Sequence, residues 1–377
     1  MSLRDIFCQD GAVGILQRGF AADKSAQAYI FAGREGVGKH TTAHQWAKLL
    51  LCESPTVEQH GRDAFADSCG SCQSCTLFEA GSHPDYAHVY KELLEFTRDG
   101  KGKKTPIDLP IAVVREFLIE RVALRPSLSA RRVFVVSEAE RLNVYSQNAM
   151  LKVLEEPPHH CTIIMLCTRP ERLLPTIKSR CQTIRFGPVD EEHILSRLTE
   201  MGLGREPAAF FARLAQGSIG LACQWGRLEL AGVHLFDIKK RIVAAVAGLE
   251  LSDALDLAEQ LLGHAREIAA GWAELDTVTS KGDVNRRAQR TLIQILLSAL
   301  HDAMVLSVSK DRVLIHSDQA GHITELAARF DPEQAGRRIG EGCDMLRWID
   351  ANVNERLIFE RLLLRLVPSA IMAPAWS

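Results

Sequence analysis

Between the apolar run Ala28-Tyr29-Ile30-Phe31 and a stretch of helical composition lies Gly33-Arg34-Glu35-Gly36-Val37-Gly38-Lys39-His40. The spacing is that of G-x-x-x-x-G-K-[ST], with histidine in the last place. A glycine turn joining a strand to a helix is what a phosphate-binding P-loop requires: backbone N–H groups and the lysine cradle phosphates, and the terminal hydroxyl holds Mg²⁺. Gly33, Gly36, Gly38 and Lys39 keep the cradle, while His40 removes the metal ligand. Thr41 and Thr42 cannot replace it, because each helical step turns a side chain by about 100°. The expectation is a nucleotide-binding α/β domain with weak or no binding of ATP or ADP and no Mg²⁺ site. The plainer reading is an ordinary glycine turn.

A second run bears on the same chemistry. An ATPase of this kind needs a strand ending in Asp-Glu, the aspartate helping to hold Mg²⁺ and the glutamate polarising water. Here Val133-Phe134-Val135-Val136 runs into Ser137-Glu138. With both magnesium contacts gone, the ion that neutralises the β- and γ-phosphates is lost, and hydrolysis by this chain is expected to be negligible. Glu138 then reads as a solvated carboxylate at a strand end.

Five apolar runs, Ala28 to Phe31, Tyr86 to Val89, Arg132 to Val136, Thr162 to Leu166 and Thr183 to Phe186, alternate with helical stretches and imply a parallel sheet. Ile111, Val114, Leu118 and Val122 fit one face of a helix opened by Pro110, and Pro157-Pro158 stops the helix carrying Met150, Leu151, Val153 and Leu154. Beyond Pro188 strand signals fade into short helices punctuated by glycines. From Leu228 onward long amphipathic helices dominate, the last running from Val353 to Leu366 with Phe359, Leu362, Leu363 and Leu366 on one face. At 377 residues two or three domains are expected. The class is α/β plus all-α: a P-loop domain over 1–187 with an insertion at about 52–75, a small helical domain over 188–228, and a helical domain over 229–377. The segments Ser54 to Ser68 and Thr97 to Thr105 read as turn-rich insertions.

Ten cysteines in a chain this long are too few for a disulfide scaffold. The start, Met1 to Asp10, lacks the apolar core of a signal peptide, and no run of about 18 apolar residues follows. A cytosolic, reducing setting is the expectation, and there clustered cysteines point to metal. Cys69-x-x-Cys72-x-x-Cys75, preceded by Cys52, supplies four thiolates, enough to close a tetrahedral structural Zn²⁺ site. His60 is the rival ligand, though a fourth cysteine is the softer donor. Redox-active or unliganded thiols are the remaining readings. Cys161, Cys167 and Cys223 lack metal spacing and read as buried small apolar groups, and Trp225, Trp272 and Trp348 as core or interface residues. The Lys101-Gly102-Lys103-Lys104 run reads as a solvated surface. A formal net charge of -2 argues against a protein that coats nucleic acid by itself.

Several longer segments now add up: Gln27 to Gly33, the four-cysteine module, His83-Pro84-Asp85, Ala139-Glu140-Arg141-Leu142, Asn148 to Pro158, Leu174 to Cys181, and Asn352-Val353-Asn354. Together they resemble, along nearly the whole chain, the clamp-loader subunits of bacterial DNA polymerase III, members of the AAA+ family. The resemblance implies zinc at the cysteine module, a helical lid, and a C-terminal helical collar for oligomerisation. In the motif Ser179-Arg180-Cys181 it implies an arginine that reaches into the neighbouring subunit's ATP site; the plainer reading of Arg180 is a surface residue pairing with a nearby carboxylate. In motor subunits the lid helix beginning near Gly217-Ser218 supplies an arginine that senses ATP; here the position is Gly220. The gaps at His40, Ser137 and Gly220 fit a non-hydrolysing subunit better than a gamma or tau motor. Such a subunit would be cytoplasmic and sit in a hetero-oligomeric ring with delta and gamma/tau subunits, acting with the sliding clamp and primed DNA and with no membrane. Two alternatives remain: an active gamma/tau-like ATPase using Lys39 and a substitute metal ligand, and a zinc-containing nucleic-acid binder.

Overall fold

β-branched and aromatic residues, bounded by turn formers, drive five runs into one sheet: β1 (Ala28–Ala32), β4 (Tyr86–Val89), β5 (Arg132–Val136), β6 (Cys161–Cys167) and β7 (Gln182–Arg185). The remaining strands, β2 (Thr56–His60) and β3 (Asp63–Asp67), form a separate antiparallel hairpin. The computed structural model describes residues 2–60, 63–103, 106–309, 312–351 and 353–367, without the side chains of residues 59, 60, 63 and 64. Lys104, Asn352 and the ring of His60, singled out from sequence, lie outside the described residues.

The sheet is parallel throughout, in the order β4-β5-β6-β1-β7. Its central strands β1, β5 and β6 are buried along their whole length, which is why they read as continuous apolar runs. Successive side chains point to opposite faces. Tyr29, Phe31, Val133 and Val135 therefore join a core with Leu16, Trp46 and Leu49. Ile30, Ala32, Phe134 and Val136 join the other core, with Val113, Leu118, Met150, Leu154 and Ile177. Helices thus cover both faces. Because all the sheet strands run the same way, the loops leaving β1, β5 and β6 emerge on one edge, where ligands bind in open parallel sheets.

Two local expectations are corrected. The Ser54 to Ser68 insertion folds as the β2–β3 hairpin, gripped through Ala66: the Gln17 amide donates to its carbonyl (2.8 Å) and accepts from its N–H (2.7 Å). The helix after Pro110 is not uniform. A π-helical segment, Arg115–Ile119, interrupts it; Val114, Leu118 and Val122 are buried on the expected face, Val113 is fully buried beside them, and Ile111 is only partly buried.

The chain forms two compact units, residues 1–193 with 217–220, and residues 194–216 with 221–377. The second is all helical. At its centre lies Lys281–Val308, a helix of 28 residues whose 18-residue apolar window has mean hydropathy 1.6, long and apolar enough to cross a membrane. Its residues Leu292, Ile293, Leu296 and Leu300 are fully buried, and it packs against Ala254–Leu275, Ala320–Arg329 and Pro332–Asp350, the arrangement of a core helix. The terminal helix spans Glu355–Leu366, capped by the Asn354 side chain on the Arg356 N–H (2.9 Å). Trp225 is buried and donates to Thr291 (3.1 Å), Trp272 is buried, and Trp348 is half-buried beneath the Arg361 guanidinium.

Lys239 is enclosed in this unit, paired with Asp318 at 2.5 Å and lying over the rings of Phe210 and Phe236. Nearby His316 is fully buried; its backbone N–H donates to Asp302 (2.7 Å) and its Nε2 meets the Ser298 hydroxyl (2.8 Å). Burial pushes the imidazole pKa down to about 3, helped by the positive charge of Lys239.

Candidate functional site

The P-loop turn follows β1 and opens the helix Lys39–Leu51. Gly36 and Gly38 adopt φ of 73° and 103°, a left-handed backbone that favours glycine. Gly33 is required by packing, since a Cβ there would meet the Phe186 carbonyl oxygen at 2.7 Å. Lys39 is nearly buried and folds back on the loop, donating to the carbonyls of Gly33 (2.7 Å) and Arg34 (2.6 Å). Desolvation lowers its pKa against the opposing pull of Glu140 and Glu35. Gly33, Gly36, Gly38 and Lys39 thus lie together in one turn, with the Lys39 ammonium directed at the loop's own carbonyls.

Two residues shape this loop without any sequence motif to advertise them. Gln9 is buried, donating to the carbonyls of Val37 (3.2 Å) and Gly187 (2.9 Å) and accepting from the Gly187 N–H (3.1 Å). Gly220 lies directly on the loop. Its N–H donates to the Gly36 carbonyl at 2.8 Å, and a Cβ on it would meet the Gly36 Cα at 2.9 Å. Gly220, the position at which the resemblance to motor subunits implies a sensing arginine, is thus a backbone-to-backbone contact that a side chain would force apart.

At the position after Lys39, where a P-loop carries its hydroxyl, three imidazoles gather. The His40 ring lies 5.2 Å from that of His88 and 6.4 Å from that of His44, and His88 Nε2 meets the Ser137 hydroxyl at 2.8 Å. Desolvation brings the His88 pKa down to about 4, with repulsion from His40 and His44 adding to it. His40 is open to solvent on one side and packed on the other; desolvation there lowers its pKa too, with His44 contributing. Thr42 is buried and its hydroxyl donates to the Gly38 carbonyl (2.9 Å), so it is turned into its own helix. Glu138 is held rather than simply solvated: its oxygens lie 2.7 Å from Arg141 Nε and 3.3 Å from Lys91 Nζ. Glu140, buried, accepts from both the N–H and the hydroxyl of Thr168 at the end of β6.

Arg180 stands just beyond the short helix Pro175–Lys178. Nη1 donates to the Thr176 carbonyl (3.0 Å), and Nη2 lies 3.0 Å from Glu155 Oε1, with about a third of the side chain exposed. Arg180 thus makes a surface ion pair with a nearby carboxylate, the plainer of the two readings of this residue. Cys181 beside it is half-buried, and burial pushes its pKa up to about 12.

The four cysteines of the insertion converge. Cys52 caps the C-terminus of the P-loop helix, Cys72 caps the N-terminus of the helix Gln73–Glu79, and all four sulfurs lie within 4.8 Å of one another. Sγ of Cys52 is 3.6 Å from that of Cys69 and 3.9 Å from that of Cys72, close to the ~3.8 Å edge of a sulfur tetrahedron drawn at the Zn–S bond length. Backbone N–H groups of Cys69, Cys72 and Cys75 point at the sulfurs of Cys52, Cys69 and Cys72 at 3.3, 3.4 and 3.4 Å. Hydrogen bonds from Ser54 and the backbone of Ser71 and Cys72 bring the Cys69 thiol down to about 5, while burial pushes that of Cys75 up. Such a donor set can hold a metal ion. The knuckle is tied to the core through Ser74, whose hydroxyl donates to the Leu51 carbonyl (2.6 Å) and meets His83 Nε2 (2.8 Å). Asp85 in turn accepts from the N–H groups of Ser127, Leu128 and Ser129 at 2.7 to 2.9 Å and pairs with Arg132 at 3.2 Å, so His83-Pro84-Asp85 is a structural clamp.

A parallel sheet with a P-loop on its first strand, joined to a helical C-terminal unit, defines a protein of the AAA+ class. Residues 8–190 match the family described as DNA polymerase III, delta subunit, and residues 278–367 the family described as DNA polymerase III, delta subunit, C terminal. The chain is 38% identical over 156 residues to the DNA polymerase III subunit delta' of Pseudomonas aeruginosa, covering 41% of this chain and 42% of that protein. It is 24% identical over 359 residues to subunit delta' of Bacillus subtilis, covering 95% and 96%. Subunit tau of Escherichia coli is 29% identical over 268 residues, 68% of this chain and 38% of that protein. The chain belongs to the delta-prime family of DNA polymerase III clamp-loader subunits.

Proposed function

We propose that this chain is the non-hydrolysing member of a clamp-loader ring, supplying Arg180 in trans to the ATP site of a neighbouring gamma or tau subunit while the ring loads the sliding clamp onto primed DNA. In this reading the chain works in the cytoplasm beside delta and gamma/tau subunits. Residues 1–187, 188–228 and 229–377 serve as P-loop domain, lid and collar, and Cys52, Cys69, Cys72 and Cys75 hold a structural Zn²⁺. The observation that carries it is the His40, His88 and Ser137 cluster: the two positions that should bind magnesium bear an imidazole and a hydroxyl already hydrogen-bonded to another imidazole. A site of neutral nitrogen and hydroxyl donors does not balance triphosphate charge as Mg²⁺ does. Gly220 supports the same reading, because its backbone contact with Gly36 leaves no room for a sensing side chain.

Measuring ATP turnover by the isolated chain tests the first half. Turnover abolished by Lys39→Ala would replace this reading with that of an active gamma/tau-like ATPase. The second half is tested in a reconstituted ring carrying Arg180→Ala, where unchanged turnover removes the arginine from the mechanism.

A further inference from the structure

A second convergence of metal-ligating groups lies away from the four-cysteine knuckle. Cys8 occupies the turn before the helix Asp10–Ala21, Asp190 ends the segment leaving β7, and His193 lies in the first turn of the helix Glu191–Glu200. The Cys8 sulfur is 3.5 Å from Asp190 Oδ2 and 3.7 Å from His193 Nδ1, and the three donor atoms lie within 4.8 Å of one another. The separations are close to those a tetrahedral ion would set. With Zn–S near 2.3 Å and Zn–N or Zn–O near 2.0 to 2.1 Å, the mixed edges come out at ~3.6 Å.

The scaffold beneath these donors is fixed independently of them. Gln9, next to Cys8, is hydrogen-bonded at both ends of its amide to Gly187, so the two segments are clamped at a set separation. The Val189 N–H donates to the Gly217 carbonyl (2.9 Å), and the Phe7 ring lies 5.5 Å from the His193 ring, fixing that imidazole from the other side. Cys8 itself holds φ at 56°, a left-handed backbone costly for a residue with a Cβ. That conformation accompanies a sulfur directed at the other two donors. Preorganised donors on a braced backbone distinguish a binding site from a chance meeting of side chains.

We propose that Cys8, Asp190 and His193 form a second metal site, taking a thiophilic divalent transition ion such as Zn²⁺. One thiolate, one imidazole and one carboxylate are borderline-soft donors that suit zinc and disfavour Mg²⁺ or Ca²⁺. Three protein ligands leave a coordination position open, and exposure of Asp190 and His193 leaves it facing solvent, where water or a donor from outside the chain completes the shell. Binding releases the Cys8 thiol proton to solvent.

The test is the zinc content of the full-length chain after equilibrium dialysis against buffered free Zn²⁺, compared with the Cys8→Ser, His193→Ala and Cys69→Ser chains. The expected result is that Cys8→Ser and His193→Ala each hold one equivalent fewer than the parent, and that Cys69→Ser loses a different one. Alkylation of Cys8 by iodoacetamide, followed by peptide mass, gives a second readout: saturating Zn²⁺ should slow it roughly tenfold or more in the parent, and far less in Asp190→Asn. Equal zinc in the parent and Cys8→Ser chains, or Cys8 alkylation indifferent to Zn²⁺, overturns the proposal. Loss of zinc in Cys8→Ser but not in Cys69→Ser would leave this site standing and remove the metal from the knuckle.

Discussion

Arg180 Nη2 and Glu155 Oε1 stand 3.0 Å apart, joining the turn between the helix Pro175–Lys178 and β7 to the last residue of the helix Val144–Glu155. The pair is exposed, so it contributes at most about 1 kcal/mol to folding and yields readily to a stronger anion. Replacing Arg180 by alanine should therefore leave the unfolding free energy of the isolated chain within about 1 kcal/mol of the parent. In the reconstituted ring the same change should lower ATP turnover by roughly 10³-fold or more. Glu155→Gln, which frees the guanidinium, should leave ring turnover undiminished; a collapse of turnover in that variant would mean the carboxylate is itself needed.

Gly220 predicts a steric effect. Because a Cβ there would approach the Gly36 Cα to 2.9 Å, Gly220→Ala should destabilise the P-loop unit by about 1 to 3 kcal/mol, read by urea denaturation. Gly220→Arg, which on paper restores a sensing arginine, should destabilise at least as much and confer no ATP turnover.

Metal removal should act locally. Chelation, or Cys72→Ser, should expose residues 53–72 to proteolysis while the chain keeps its far-UV circular dichroism, since the knuckle meets the core through Ser74 and His83 rather than through strand pairing. Release of about one equivalent of zinc on thiol modification of the Cys8→Ser chain would count the ion bound by the knuckle.

The buried imidazoles set a pH dependence. His316 in the fold has its pKa down at about 3, and the free side chain titrates near 6.5. The unfolded chain therefore binds the extra proton between these values. Stability from this group is fully present above about pH 6.5, is lost as pH falls below it at up to ~1.4 kcal/mol per pH unit, and falls no further below about 3. His88, down at about 4, acts in the same direction in the other unit. His316→Asn should lower stability at neutral pH but flatten its slope between pH 4 and 6.5, as followed by chemical denaturation across that range. An unchanged slope would place the imidazole in contact with water.

The sheet was legible because β1, β5 and β6 are buried on both faces and so carry unbroken apolar runs, and the knuckle because Cys69, Cys72 and Cys75 recur at every third position. Other features left no such mark. Strands β2 and β3 are short and mix charged with apolar residues, so Thr56 to Asp67 reads as a loop until Gln17, distant in sequence, grips Ala66. The π-helical segment Arg115–Ile119 interrupts the helix after Pro110, and helical periodicity alone does not foresee it. The roles of Gln9, Gly220 and Cys8 all depend on contacts with partners that are remote in the chain, which a single sequence cannot pair. Glu138 was read as solvated because Lys91, its second cation, approaches from another strand's end.

The contact between Gly220 and Gly36 is made by main-chain atoms on both sides. Swapping histidine for threonine at position 40 would supply a hydroxyl near the phosphates and leave this joint untouched, and an acid at position 137 would do the same. On the reading proposed above, building a motor from this chain is thus not a matter of exchanging residues one by one: the backbone that enters the helix at Ile219 would have to be re-routed first, an obstacle that point mutation does not readily cross.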